Sequence, residues 1–249
     1  MKCCFCKKEK VLCKAHLIPE SFFRFMYPSG KVEGDSIIMV SGDKSFVSKK
    51  RIGFYDNTIL CSECDGIIGK KYDEYGKKIF LDTEPQLIKS IEIGDVFEFK
   101  KIISAQLKLF IISMLWRFSI SNLPEFSPYK LPEKFVNQLY NRVLNSDPGD
   151  INDFSIVISR FSYTDNIENL KKYLQLPVPA RINGINYLNI YLPNGYKILI
   201  KIDSRPQTQE LLPLTIDVNK PVYVIVWEQF EKTKEFLNLI ENSHKIKRR

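Results

Sequence analysis

Short apolar runs alternate with polar turns in the N-terminal third of the chain. Residues 11–19 (VLCKAHLIP) are apolar and typical of a strand, and the apolar runs on either side of Gly42-Asp43 predict a β-hairpin. Further along, apolar side chains recur at helical spacing and predict a helix that begins near Ser62. The apolar stripe of this helix is predicted to contain Ile67, Ile68, Tyr72, Tyr75 and Ile79.

The middle of the chain is predicted to be helical. A short strand, DVFEF (95–99), leads into an apolar run that predicts a helix over 101–120. Because this run contains Lys108 and Arg117, it is typical of a core helix rather than of a membrane span. A second amphipathic helix is predicted over 131–145, ended by the turn-forming residues NSDPGD. The first helix is expected to bury Ile102, Leu107, Phe110, Ile111, Met114, Leu115 and Phe118.

Beyond residue 150 the pattern changes to one of strands. The segment 153–162 alternates apolar and polar residues, and the segment 181–203 predicts a hairpin that turns at Pro193-Asn194-Gly195. Residues 221–228 (PVYVIVWE) predict a buried strand, and a final helix is predicted over 228–241. The C-terminal part is therefore expected to be an α+β domain with an antiparallel sheet.

Composition and charge indicate which partners and which cellular location to expect for the protein. The formal charge of +8 and a pI near 9.0 favour anionic partners, with nucleic acid first among them. The N-terminus is polar and has no apolar segment typical of a signal peptide. We therefore expect a cytoplasmic protein that has no membrane partner and whose cysteines stay reduced.

All six cysteines lie in the first 64 residues. Two pairs, Cys3 with Cys6 and Cys61 with Cys64, have the two-residue gap that lets one turn direct two thiolates at one ion. Two such pairs predict a structural Zn²⁺ site with four sulfur ligands. A redox CxxC is the alternative, but the sequence around the pairs lacks a thioredoxin-like βαβ pattern. Of the remaining two cysteines, Cys13 is expected to be a small buried residue, whereas Cys4 could compete with Cys3 for the ion.

The order of these features predicts the fold class and a division of the chain into three parts. A cysteine turn, a hairpin, and a second cysteine turn that opens a helix form the layout of a treble clef. We expect an α+β protein with a zinc-bound, treble-clef (ββα-like) module over 1–82. A helical segment over 83–150 and an α+β domain over 151–249 with a basic tail are expected to follow it.

The N-terminal residues CCFC, AHLIP and NTILCSECDGIIGK resemble the HNH endonuclease superfamily, in the form whose ββα-metal core is braced by two CxxC pairs. The chain is also similar, over about residues 1–160, to bacterial HNH-like proteins that carry a SHIIP-type motif. The resemblance implies a general base at His16, a motif proline at Pro19 and a bracing asparagine at Asn57. It further implies that Asp65, directly after Cys64, helps to hold a catalytic divalent metal, Mg²⁺ or Mn²⁺.

The sequence departs from this family at Ala15, where members often have an acidic or histidine metal ligand. Three roles for His16 therefore stay open: general base, zinc ligand, or a packed ring that holds the two halves of the motif together. Lysines and arginines crowd the module and are typical of a phosphate-contacting surface. The lysines of the 70–78 region could equally pair with Asp73 and Glu74 on a solvated helix face.

The sequence thus favours an HNH-like metal-dependent nuclease or a nuclease-derived nucleic-acid-binding protein, with DNA preferred over RNA and a role in defence against foreign DNA. One alternative is a non-enzymatic treble-clef module whose C-terminal domain recognises a protein or small ligand. Another is an RNA-cleaving toxin that uses His16 without a divalent metal. The C-terminal sequence contains no phosphate-binding or nucleophile motif.

Overall fold

The computed structural model describes residues 1–27, 37–40, 47–50, 53–92, 94–162, 173–229 and Lys232. It is a mixed α/β protein with a cysteine cluster at the N-terminus and a seven-stranded sheet in the C-terminal part. This architecture confirms the fold class expected from the sequence. None of the helices in the described ranges is long and apolar enough to cross a membrane.

The N-terminal part consists of short strands and helices around the cysteine turns. In chain order its elements are β1 (Ala15–His16), α1 (Glu20–Phe25), β2 (Ile37–Val40), β3 (Val47–Lys50), β4 (Tyr55–Asp56), α2 (Ser62–Ile68) and α3 (Glu74–Asp82). Strands β1 and β4 pair antiparallel, and so do β2 and β3, which confirms the predicted hairpin pairing. The turn at Gly42-Asp43 lies outside the described residues.

Helices α2 and α3 are joined without a break by a π-helical segment, Gly69–Asp73. Ile68, Tyr72 and Ile79 of the predicted stripe are buried, and Tyr75 packs at its edge. The prediction was wrong for Ile67, which is 47% exposed. Adjacent helical positions lie about 100° apart around the axis, so Ile67 turns away from the face that Ile68 buries.

The middle of the chain contains two strands and two helices. These are β5 (Gln86–Ile91), β6 (Gly94–Phe99), α4 (Ser104–Ile120) and α5 (Glu133–Asn145), with a 3₁₀ turn at Pro124–Tyr129. Helix α4 is buried on almost all sides, which explains why its sequence is apolar all round. Six of the seven predicted core side chains are buried, whereas the seventh, Ile102, lies before the helix and is half-buried.

The C-terminal strands complete the large sheet. They are β7 (Ile156–Ser162), β8 (Gln175–Ile182), β9 (Ile185–Leu192), β10 (Tyr196–Lys201) and β11 (Val222–Gln229). The strand order is β5-β6-β11-β7-β10-β9-β8, and all neighbours are antiparallel except β11 and β7, which are parallel. The sheet is thus mixed, with one parallel pair at its centre.

The predicted hairpin turn is confirmed between β9 and β10. Asn194 and Gly195 have φ angles of 69° and 79°, the left-handed region that an Asn-Gly turn favours. A second turn of this kind, at Asn183-Gly184 with φ of 49° and 79°, joins β8 to β9. Sequence reasoning did not use this second Asn-Gly pair.

Two predictions concern boundaries: the start of the final helix and the division of the chain into three parts. Residues 228 and 229, predicted to begin the final helix, belong to β11, while most of that helix and the basic tail lie outside the described residues. The division at 82 and 150 stays a prediction. Strands β5 and β6 from the middle segment join the sheet through β11, and one hydrophobic core runs from Cys3 to Val224.

Candidate metal centre and the polar cluster beside it

The two cysteine turns are formed by local backbone contacts. In the first, the Lys7 amide donates to the Cys3 carbonyl at 3.0 Å, and Lys7 takes a left-handed φ of 60° that closes the turn. In the second, Cys61 caps α2 in an extended conformation, and the Asp65 amide donates to its carbonyl at 2.9 Å. Both residues of the second pair therefore lie at the N-terminal end of α2.

Contacts between distant segments bring the turns together. The Cys4 amide donates to the Ile59 carbonyl at 2.8 Å, the Cys13 amide donates to the Leu60 carbonyl at 2.8 Å, and Leu12 bridges to Cys61. The Cys61 amide also donates to Cys3 Sγ at 3.4 Å. The result is one cluster in which the Sγ atoms of Cys3, Cys6, Cys61 and Cys64 all lie within 4.8 Å of one another.

This cluster fits a tetrahedral metal site. Zinc–thiolate bonds of about 2.3 Å place the sulfurs of a tetrahedral site about 3.8 Å apart, which lies within the 4.8 Å limit found here. Burial raises the pKa of the Cys3 thiol, but amide donors from Cys6, Cys61 and Phe5 outweigh burial and lower it to about 7. Four thiols this close together could hold a metal such as zinc.

The two other cysteines lie outside the cluster. Cys4 and Cys13 are both half-buried. Burial is the main reason that the pKa of each thiol is raised, with Coulomb repulsion from Asp65 adding to it at Cys13. Their thiols therefore stay protonated at neutral pH, as is typical of structural cysteines.

His16 lies in β1 and pairs with Tyr55 of β4 across the two-stranded sheet. Its Nε2 atom is buried and has no hydrogen-bond partner among the described residues, and it lies 3.9 Å from Glu20 Oε2. Burial lowers the pKa of the imidazole, and the charges of Glu20 and Asp65 oppose this shift. The preceding residue, Ala15, is fully buried in the core, and its methyl side chain cannot bind a metal.

Three carboxylates and one guanidinium surround the imidazole closely enough for their charges to act on it: Glu20, Asp65, Asp73 and Arg117. Arg117 donates to both carboxylate oxygens of Asp73, at 2.6 and 2.9 Å, and to the carbonyl of His16 at 2.8 Å. Burial raises the pKa of Asp73 against the opposing effect of Arg117. Burial likewise raises the pKa of Asp65, and this carboxylate has no ion-pair partner among the described residues.

Sequence reasoning missed Glu20, Asp73 and Arg117. Glu20 lies four residues after His16, and Asp73 ends the π-helical segment that continues the helix containing Asp65, so their spacing was a usable signal. Arg117 lies within an apolar run, and the sequence does not identify its partner. The suggestion that Asp73 pairs with helix lysines was wrong, because its carboxylate faces Arg117 from the core side of the helix.

Asn57, the predicted bracing residue, is exposed in the turn after β4. The bracing contacts of this turn are made by its neighbour. Asp56 accepts hydrogen bonds from the amide and hydroxyl of Thr58, from the Ser121 hydroxyl and from the Asn122 amide, at 2.6 to 2.9 Å. Burial would raise the pKa of Asp56, but these donors outweigh it and lower the pKa.

No protein-family model, curated protein or solved structure significantly matches the chain. The class of protein is therefore defined by its own geometry: a mixed α/β protein with a four-cysteine cluster consistent with zinc. Membership of the HNH superfamily stays a prediction that rests on the N-terminal residues.

Proposed function

We propose that this chain is a zinc-braced, HNH-like nuclease that uses His16 as the general base and a divalent metal, Mg²⁺ or Mn²⁺, at the adjacent carboxylates. One observation carries the proposal. His16 Nε2 has no hydrogen-bond partner among the described residues, although the ring lies within a cluster of charged side chains. A buried nitrogen without a partner is unusual in a ring that serves only for packing. It is suited to accept a proton from a water molecule.

The donor chemistry of the cluster fits a hard cation. Asp65 and Glu20 offer carboxylate oxygens, which Mg²⁺ and Mn²⁺ prefer, close enough to His16 for their charges to act on it. A bound metal would polarise the phosphate and stabilise the leaving oxygen. Asp65 and Glu20 would take over the role of the ligand missing at Ala15. Asp73 is occupied by Arg117, which also donates to the His16 carbonyl, so its part is to position the π-helical segment against β1.

Cleavage assays test this proposal. Plasmid, single-stranded DNA and RNA should be incubated with the protein in Mg²⁺, Mn²⁺ or EDTA. We expect cleavage with metal, none in EDTA, and a loss of roughly 10²- to 10⁴-fold in rate for His16→Ala. His244→Ala is the matched control, because it removes the other histidine of the chain. Equal cutting by wild type and His16→Ala would exclude His16 as the base.

A second function, nucleic-acid binding without cleavage, is favoured by the ion pairs of the cluster. Glu20 pairs with Arg24 and Asp73 with Arg117, which leaves Asp65 as the one carboxylate of the three without an ion-pair partner among the described residues. A single carboxylate holds Mg²⁺ weakly. Intact substrates in every metal, together with tight binding in EDTA, would identify this nuclease-derived binding protein. A role in defence against foreign DNA is a further part of either proposal.

A further inference from the structure

Five side chains form a continuous line on the surface of the N-terminal module, and we name it the Lys14–Arg24 strip. Lys14 Nζ lies 5.3 Å from the centroid of the Tyr55 ring, and that ring lies edge-to-face with His16 at 6.1 Å. Glu20 approaches His16 Nε2 to 3.9 Å and pairs with Arg24. The strip therefore runs from a cation over an aromatic ring and the imidazole to a second cation.

Secondary structure fixes the order of these residues. His16 and Tyr55 are direct partners across the β1–β4 pair, so their side chains lie on the same face. Glu20 and Arg24 follow on helix α1, four residues apart and therefore on one helix face. Both ends of the strip are open to solvent, since Lys14 and Arg24 are exposed, while Tyr55 is half-buried.

We propose that the Lys14–Arg24 strip binds single-stranded nucleic acid, with one base stacked on Tyr55 and the flanking phosphates at Lys14 and Arg24. The proposal rests on the proposed function, for which it names the substrate class. An aromatic face can take a base only when that base is unstacked from its neighbours, as in a single strand. The cations at the two ends of the strip suit phosphates on either side of the base.

The existing contacts of the strip are weak enough to be exchanged for these new ones. An exposed lysine over a tyrosine ring contributes a factor of about two to five in an equilibrium constant. Stacking of a base on an aromatic side chain contributes roughly five- to 150-fold in affinity. Lys14 can therefore leave the ring for a phosphate and open the ring face to the base. The exposed Arg24–Glu20 pair is similarly weak, so Arg24 can also move to a phosphate.

Fluorescence anisotropy of labelled 12-nucleotide DNA and RNA strands, and of the matching duplex, tests the strip in EDTA, where metal-dependent cleavage is prevented. We expect single strands to bind more tightly than the duplex. Tyr55→Ala should weaken single-strand binding about 10- to 100-fold, whereas Tyr55→Phe, which keeps the ring, should change it by less than about threefold. Lys14→Gln should weaken binding and reduce the salt dependence by about one phosphate contact.

Lys197→Gln is the matched control. Lys197 Nζ lies 5.8 Å from the centroid of Tyr191 on the large sheet, so it forms the same kind of contact away from His16. We expect this variant to bind like the wild type. Thermal unfolding and zinc content of each variant show whether it is folded, and Lys14→Gln tests the strip even where Tyr55→Ala does not fold.

Two results would overturn the strip: a preference for the duplex, or unchanged single-strand binding by folded Tyr55→Ala and Lys14→Gln. Neither result affects cleavage by His16, which the plasmid and RNA assays measure separately. Conversely, single-strand binding that depends on Tyr55, without cleavage in any metal, would support the strip and exclude the nuclease. The two proposals can thus fail independently.

Discussion

At the scale of single residues, the spacing between side chains of the same type predicted more of the candidate site than the identity of any single residue did. Two pairs of cysteines with the same gap predicted the cluster of four sulfurs, because a metal needs several ligands and a turn supplies two of them. The roles of Tyr55 and Arg117 could not be predicted in this way. Their partners, His16 and Asp73, lie far away in sequence, and only the folded chain brings them together.

Lys108 offers a prediction about pH at the residue scale. This lysine is fully buried in α4, and its Nζ donates to the carbonyl of Asp150 at 2.6 Å. Burial lowers its pKa to about 8, although the nearby carboxylates of Asp147, Asp150 and Asp153 favour the charged form. In the unfolded chain a lysine has a pKa of about 10.4.

Between pH 8 and about 10.4 the unfolded state therefore binds one more proton at Lys108 than the folded state does. The free energy of unfolding must then rise with pH over this window, by on the order of 3 kcal/mol, relative to a Lys108→Met variant, which has no such proton. Urea unfolding of both proteins at pH 7, 8, 9 and 10 measures the difference. A difference that stays constant over this range would show that Lys108 is not the titrating group.

At the scale of elements, strong periodicity and turn residues predicted the helices and a hairpin correctly, whereas exposed strands could not be predicted. The helices over 101–120 and 131–145 and the Asn194-Gly195 hairpin all formed where the pattern indicated. Strand β5 is exposed at every position, so it has no alternation to detect, and it is a strand because it pairs with β6. The parallel pairing of β11 with β7 likewise depends on tertiary contacts.

The packing of α3 against α4 gives a prediction at the element scale. A Cβ atom at Gly76 would lie 2.4 Å from the Phe110 ring, too close for any real contact. Replacing a helical glycine by alanine normally stabilises by roughly 0.5–1 kcal/mol, but overpacking of a core costs about 1–3 kcal/mol. The cost of overpacking should therefore exceed the gain in helix propensity. Gly76→Ala should destabilise the protein by about 1–2 kcal/mol in denaturant unfolding.

Gly66→Ala is the matched control for this substitution. Gly66 lies in helix α2, and an added Cβ there would meet nothing within 4 Å. We expect it to stabilise the protein by up to about 1 kcal/mol, because only the helix-propensity effect remains. The two glycines must therefore respond with opposite signs. Stabilisation by both substitutions would mean that Phe110 moves aside and that α3 does not press closely on α4.

At the scale of the whole molecule, the cysteine cluster is joined to the rest of the chain by aromatic packing. Phe5, within the first cysteine turn, packs edge-on against Trp116 of α4 and Tyr140 of α5, with centroids 5.8 and 6.2 Å apart. The Tyr140 hydroxyl also donates to the Phe5 carbonyl at 2.9 Å. The sequence indicated three consecutive parts, but it could not show these contacts, because each joins residues more than a hundred positions apart.

This continuity predicts how the molecule responds to loss of zinc. We expect about one zinc per chain by elemental analysis, and we expect Cys64→Ser to lose it, since one of four ligands is removed. Cys13→Ser should keep the metal, because Cys13 is a half-buried cysteine outside the cluster.

Chelation of the wild type should lower its Tm in a single transition, since a metal bound only to the folded state stabilises everything that unfolds together with its site. Two separate transitions, with only the first sensitive to chelation, would instead show that the N-terminal module unfolds alone and that the Phe5 contacts are too weak to couple it to the sheet. A folded protein without zinc and with an unchanged Tm would exclude a stabilising metal at the cluster altogether.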